Sequence, residues 1–304
     1  MNRSTKKHSG SGRLLNTQCD IMKKWLPVIL KCIVAIVATY MALRHVKNNE
    51  LQHIRWNISV IWLLPAILLF NASQFVSAYR LLQYYKTLNA DIPYGFNLQL
   101  YYTGMFYNLF LPGGVGGDVY KVIILKKRGI AWVNAAKATV LDRFTGLLIL
   151  LVIGLLLLNL ASLPLSEQLI HILSFAIIAA LLLYGFIVQR YFPPFGSVIT
   201  KALALSAVVQ CLQLFTFYCL LQFLQVPAVA YIQYAVIFLA AAVVAALPIS
   251  IGGIGIRELS MATGAMYLHV SSTIAISASI IFYLITAFSA TIGWWLKKTH
   301  PLLF

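Results

Sequence analysis

The constraint that decides most about this chain is the length of its apolar runs. They recur at close to 20 residues, the length a helix needs to cross about 30 Å of hydrocarbon at about 1.5 Å per residue. Six such runs read as full spans, at about 25–43, 59–79, 138–160, 168–189, 201–224 and 272–296. None shows the period-2 alternation of a barrel strand, and lipid leaves the helix as the remaining spanning structure. With 61% hydrophobic residues, 10% charged residues and a mean hydropathy of +0.86, no soluble segment is large enough to fold as a separate domain. The expected fold class is an all-α polytopic membrane protein.

Two further apolar stretches are interrupted by glycine and proline: 95–117, ending LPGGVGG, and 231–268, broken by LPISIGGIG. Both read as broken, re-entrant elements that enter and leave on one side. Pro112 and Pro248 mark the breaks. The order span, span, broken element, span then occurs twice, over 25–160 and 168–296, and the two copies begin on opposite sides. That is the pattern of an inverted-topology repeat, whose discontinuous segments point to a substrate site near the midplane. Chance recurrence of an LP…GG string in a chain rich in Gly and Leu is the alternative.

The net charge of +16 does not indicate nucleic acid, because Lys and Arg collect in short stretches between the spans. With a cytoplasmic N-terminus, 17 fall on the cytoplasmic side: Arg3, Lys6, Lys7, Arg13, Lys23 and Lys24 in the tail, then Arg80, Lys86, Lys121, Lys126, Lys127, Arg128, Lys137, Arg190, Lys201, Lys297 and Lys298. Three, Arg44, Lys47 and Arg55, fall outside. This bias places both termini in the cytoplasm and the protein in the cytoplasmic (inner) membrane, and some clusters suit anionic lipid headgroups. Residues 1–24 read as a basic cytoplasmic tail rather than a cleaved signal peptide, and 25–300 as a single transmembrane domain. The four cysteines and six histidines show no ligand spacing, so neither metal nor other cofactor is expected.

Of the seven acidic residues, three lie in or beside motifs in hydrophobic surroundings: Asp118 after LPGGVGG, Asp142 with Arg143 in LDRFTG, and Glu258 with Arg257 in GGIGIRE. A charge at membrane depth costs at least about 2.5–3.5 kcal/mol and normally has a partner or faces a watery cavity. The Asp142–Arg143 doublet is either part of a site or an anchor between helices. Arg80, at the end of its span, either snorkels to the interface or meets a headgroup. Gly113, Gly114, Gly116 and Gly117 in one motif, and Gly252, Gly253 and Gly255 in the other, permit backbone that exposes N–H groups to an anion. With Arg143 and Arg257 close by, that suits a phosphate-bearing headgroup. Close helix packing through small residues is the other reading.

LPGGVGGDVYK, LDRFTGLL and LPISIGGIGIRE, in this order and spacing, resemble the lysylphosphatidylglycerol synthase transmembrane-region family, also called the flippase-like domain family, over nearly the whole chain after about residue 25. The resemblance implies a membrane domain that moves lipid across the bilayer. Because the chain ends at Phe304, just past the last span, the form without a soluble aminoacyltransferase domain is expected. The residues carried over are Asp118, Asp142, Arg143, Arg257 and Glu258. Lys121 stands where family members often carry arginine, keeping the charge but losing the bidentate fork. The expected partner is a membrane lipid of phospholipid, aminoacyl-lipid, polyprenyl or hopanoid type, with no nucleic acid. A glycosyltransferase or lipid-synthesis enzyme is a further expected partner. A lipid flippase or translocase, not an enzyme, is the leading expectation. The alternatives are a non-catalytic partner in lipid biosynthesis and an intramembrane lipid transferase with Asp118 as base.

Overall fold

A computed structural model describes residues 60–88, 91–110, 114–160, 166–247 and 253–299, together with positions 36, 37, 40, 41 and 44. The basic tail and nearly all of the span read at 25–43 lie outside the described residues, as do Gly113, Gly252, Pro112 and Pro248. The regular structure among the described residues is all helical, with no strand. A 3₁₀ turn leads into α1 (Leu63–Lys86), followed by α2 (Tyr94–Phe110), α3 (Gly116–Lys127), α4 (Trp132–Leu160) and α5 (Glu167–Tyr191). After the single turn Pro193–Gly196 come α6 (Ile199–Phe223), α7 (Tyr231–Ala246), α8 (Ile256–Tyr267) and α9 (Ser272–Thr299).

Six helices among the described residues are long and apolar enough to cross a membrane. Five contain the spans expected at 59–79, 138–160, 168–189, 201–224 and 272–296, to within a residue at their ends. The sixth is Ala228–Ala246, the first arm of the interrupted stretch 231–268. The interruptions are real breaks in the helical backbone: α2 ends at Phe110 before α3 begins at Gly116, and α7 ends at Ala246 before α8 begins at Ile256. Gly114 at φ +60° precedes α3, and Gly253 and Gly255, at φ +82° and +81°, precede α8. These left-handed angles favour glycine and prevent one helix from running straight into the next. Both α3 and α8 have 12 residues, about 18 Å of rise, short of the roughly 30 Å that a crossing requires.

Most of the larger helix contacts follow one rule; α4 on α6 is a further large contact, and its counterpart, α1 on α9, is slight. α1 packs extensively on α6; α2 packs on α3 and α9, and α7 on α8 and α4; α3 packs on α4, and α8 on α9. Exchanging α1–α4 for α6–α9 leaves this set unchanged. Small residues allow the closest approaches. A Cβ on Gly117 would overlap the Gly104 carbonyl, where α3 meets α2, and one on Gly293 would overlap the Tyr102 carbonyl, where α9 meets α2. Lipid provides no hydrophobic drive between helices, so close packing and interhelical hydrogen bonds hold them. Thr103 Oγ1 donates to the Gly293 carbonyl at 3.2 Å, and Tyr84 shares a 2.6 Å hydrogen bond with Thr145. An aromatic cluster joins Phe217, Phe238, Phe282 and Phe70 in one apolar core. α5 stays at the periphery, with Val188 its one buried residue.

Candidate functional site

Each short helix carries a carboxylate at its third residue: Asp118 in α3 and Glu258 in α8. The first turn of a helix leaves N–H groups without intrahelical partners and carries a partial positive charge, so an acid there is favoured. The two carboxylates differ in their partners. Asp118 meets two cations, Lys121 Nζ at 3.2 Å and Arg143 Nε from α4. Arg143 also donates to the Gly114 carbonyl, so one guanidinium ties α4 to both the first break and the helix behind it. Lys121 is buried, with Nζ 4.6 Å from the centre of the Tyr101 ring. Its stem fits because Gly104 has no side chain: a Cβ there would lie 2.7 Å from Lys121 Cε.

Gly117 does not present a free donor. Its N–H is taken by Asn108 Oδ1 at 2.8 Å and its α-face by Gly104, so at this position close packing is the role observed. Gly116 opens α3, and Gly114 offers its carbonyl to Arg143.

Asp142 and Arg143 act apart. Consecutive helical residues point about 100° from each other, and Asp142 faces α1. There Arg80 grips it with both branches of the fork, Nε to Oδ1 at 2.7 Å and Nη2 to Oδ2 at 3.0 Å, while Nη1 donates to Ser206 of α6 at 2.8 Å. Arg80 and Asp142 are each 6% exposed. Arg80 therefore neither snorkels nor reaches a headgroup; it and Asp142 form the anchor, joining α1, α4 and α6, while Arg143 serves Asp118.

In the second half, Glu258 accepts from the Gly255 N–H at 2.7 Å and from Ser279 of α9 at 2.9 Å. Arg257 forms no ion pair with it among the described residues. Its guanidinium carbon instead lies 5.2 and 4.3 Å from the centres of the Phe238 and Phe282 rings, with Nε buried and without a partner. Ser279→Ala should remove one of the two bonds that hold the Glu258 carboxylate, lowering stability by about 1–3 kcal/mol. Thermal unfolding in detergent against wild type measures this.

A cavity of about 570 Å³ lies between the two breaks. Leu109 and Gly114 border it from the first, Leu247 and Gly253 from the second, and α4 and α6 contribute Arg143, Gly146, Leu150 and Gln210. The structure thus brings Gly114, Arg143 and Gly253 to one space. Asp118 and Lys121 stand behind Arg143, and Arg257, Glu258, Asp142, Gly116 and Gly117 do not line it. Sequence reasoning missed Asn108, Gln210 and Ser279. A glutamine inside the apolar run 201–224 was a readable signal; the partnership of Ser279 with Glu258 was not.

Long apolar helices broken twice around a polar-edged cavity define a multi-pass helical membrane protein. The chain belongs to the lysylphosphatidylglycerol synthase TM-region family, whose model matches residues 28–293, nearly its full length. This family is related to membrane lipid metabolism. Comparison with curated proteins finds none that matches the chain.

Proposed function

We propose that this protein is a translocase that moves a lipid with a charged headgroup across the cytoplasmic membrane, acting as a transporter rather than an enzyme. The observation that carries this reading is the cavity bounded by both helix breaks, with Arg143 at its wall. Its 570 Å³ falls within the size range of small-molecule sites and suits a headgroup whose acyl chains stay in the bilayer. Lys121 and Arg143 against Asp118 leave one net positive charge beside the cavity, which favours an anionic group. The side chain of Arg143 is 38% exposed and keeps donors beyond those facing Asp118 and Gly114.

The exchange of helix neighbours between α1–α4 and α6–α9 supports an inverted-topology repeat, with α2–α3 and α7–α8 as its broken elements. Alternate opening to each side of a fixed site follows from such an arrangement. The charge bias supports cytoplasmic termini. A transferase with Asp118 as base is less well supported, because Lys121 and Arg143 already occupy that carboxylate.

Arg143→Gln should reduce translocation of anionic phospholipids in proteoliposomes by at least roughly tenfold, the scale of a lost charged hydrogen bond, while Lys121 still pairs with Asp118 and limits the loss of stability to about 1–3 kcal/mol. Fluorescent lipids with anionic, zwitterionic and neutral headgroups, scored for access from each leaflet, provide the readout. Wild-type protein that moves every lipid at the empty-liposome rate would overturn the proposal.

A further inference from the structure

Gln210 is the second polar group to consider at the cavity wall. It lies on α6 one turn beyond Ser206, on the face that turns toward Arg80. It is 6% exposed and lines the cavity, and its Oε1 is buried with no hydrogen-bond partner. Native proteins rarely leave a buried amide oxygen unsatisfied, because the group has given up water and gained nothing in return. The side chains that share its wall are mostly apolar, Met105, Leu109, Leu147 and Leu150 among them. None of these can donate to it, and the donors that also line the cavity, Asn108, Arg143 and Thr286, make no hydrogen bond to it. The arrangement is an acceptor awaiting a donor that enters with the occupant.

We infer that Gln210 selects the headgroup: the cavity takes a lipid that combines an anionic group, for Arg143, with at least one N–H or O–H donor, for Gln210 Oε1. This rests on the lipid-translocase reading and deepens it. An amine or a hydroxyl meets the requirement. A quaternary ammonium does not, although it has the same charge and a similar size, because it has no hydrogen to donate. A site built around a buried acceptor discriminates against the analogue lacking the donor, since that analogue leaves the acceptor unpaired.

The test uses the full chain in detergent and a chain-matched lipid series: phosphatidylethanolamine, its N-methyl and N,N-dimethyl derivatives, and phosphatidylcholine. The phosphate and the positive charge are constant, and the N–H count falls from three to none. Binding is followed by native mass spectrometry, and translocation in proteoliposomes is followed separately. Wild type should bind the first three lipids alike and phosphatidylcholine on the order of tenfold more weakly. Gln210→Met should remove that step, while Gln210→Glu, which retains an acceptor, should preserve it. Phosphatidylglycerol is the arm for hydroxyl donors: parity with phosphatidylethanolamine means that either donor serves, and weaker binding means that the ammonium is preferred. Without lipid, Gln210→Met should unfold at the same temperature as wild type or higher, because it removes an unpaired amide and no contact that stabilises the fold. The inference is overturned by equal binding of phosphatidylcholine, by a step that survives in Gln210→Met, by a loss of lipid-free stability in that variant, or by wild type that binds none of the lipids. A step in binding without translocation would uphold Gln210 as the selector and remove the transport reading alone.

Discussion

Arg80→Met should lower the stability of this protein by about 3–5 kcal/mol, because it leaves Asp142 buried without its counter-charge. The pair is bidentate and supported by Ser206, and each member is 6% exposed, so water cannot replace the lost guanidinium. Arg80→Lys should fall between wild type and Arg80→Met, since a lysine restores the charge but not the fork that engages both carboxylate oxygens. The informative comparison is the double substitution Arg80→Met with Asp142→Leu. Removing both charges also removes the desolvation penalty, and replacing a buried pair with apolar residues is often neutral or stabilising. The double variant should therefore recover most of the loss. Unfolding in mixed micelles, followed by far-UV circular dichroism, measures all three variants. A single substitution within 1 kcal/mol of wild type would mean that the pair does not anchor α1, α4 and α6.

Gly117→Ala and Gly293→Ala form the second large effect. In each case the added Cβ overlaps a backbone carbonyl of α2, that of Gly104 or Tyr102. A backbone cannot step aside as the end of a flexible side chain can, so the helices must separate. Overpacking of this kind costs about 1–3 kcal/mol, occasionally more. At Gly117 the damage should also reach the site, because Asp118 follows directly and Asn108 holds the Gly117 N–H. On the translocase reading, transport should therefore fall more in Gly117→Ala than in Gly293→Ala at equal loss of stability. Gly185→Ala is the matched control: it lies within α5, where a Cβ would meet nothing within 4 Å, and it should be neutral or stabilising by about 0.5–1 kcal/mol through helix propensity. Melting temperatures and proteoliposome rates on the same preparations separate the two effects.

The helices were legible because lipid reduces the options: an apolar run of sufficient length is a helix, and five of the six expected runs are helices, the other lying almost entirely outside the described residues. Both breaks were legible in their glycines. Partnership was less so. LDRFTG presents Asp142 and Arg143 as a doublet, yet the turn of the helix sends one toward Arg80, 62 residues earlier in the chain, and the other toward Asp118. A run of text conveys adjacency, whereas an ion pair depends on the face. The same holds for Arg257 and Glu258, neighbours in sequence that are held by different groups, Arg257 by the phenyl rings of Phe238 and Phe282 and Glu258 by Ser279 and its own helix start. Gln210 is one of three glutamines in the apolar run 201–224 and was passed over; its meaning depends on the cavity beside it.

The neighbour rule among the helices also has a kinematic consequence. If the two halves trade conformations during a transport cycle, each contact must become its counterpart. The α1–α6 contact is its own counterpart, so it need not change and serves as the pivot. The α2–α9 and α4–α7 contacts are counterparts of one another, so whatever tightens one must loosen the other. On the translocase reading, a covalent staple across α1 and α6 would leave the two halves free to rock, whereas one across α2 and α9 would hold them at one end of the stroke.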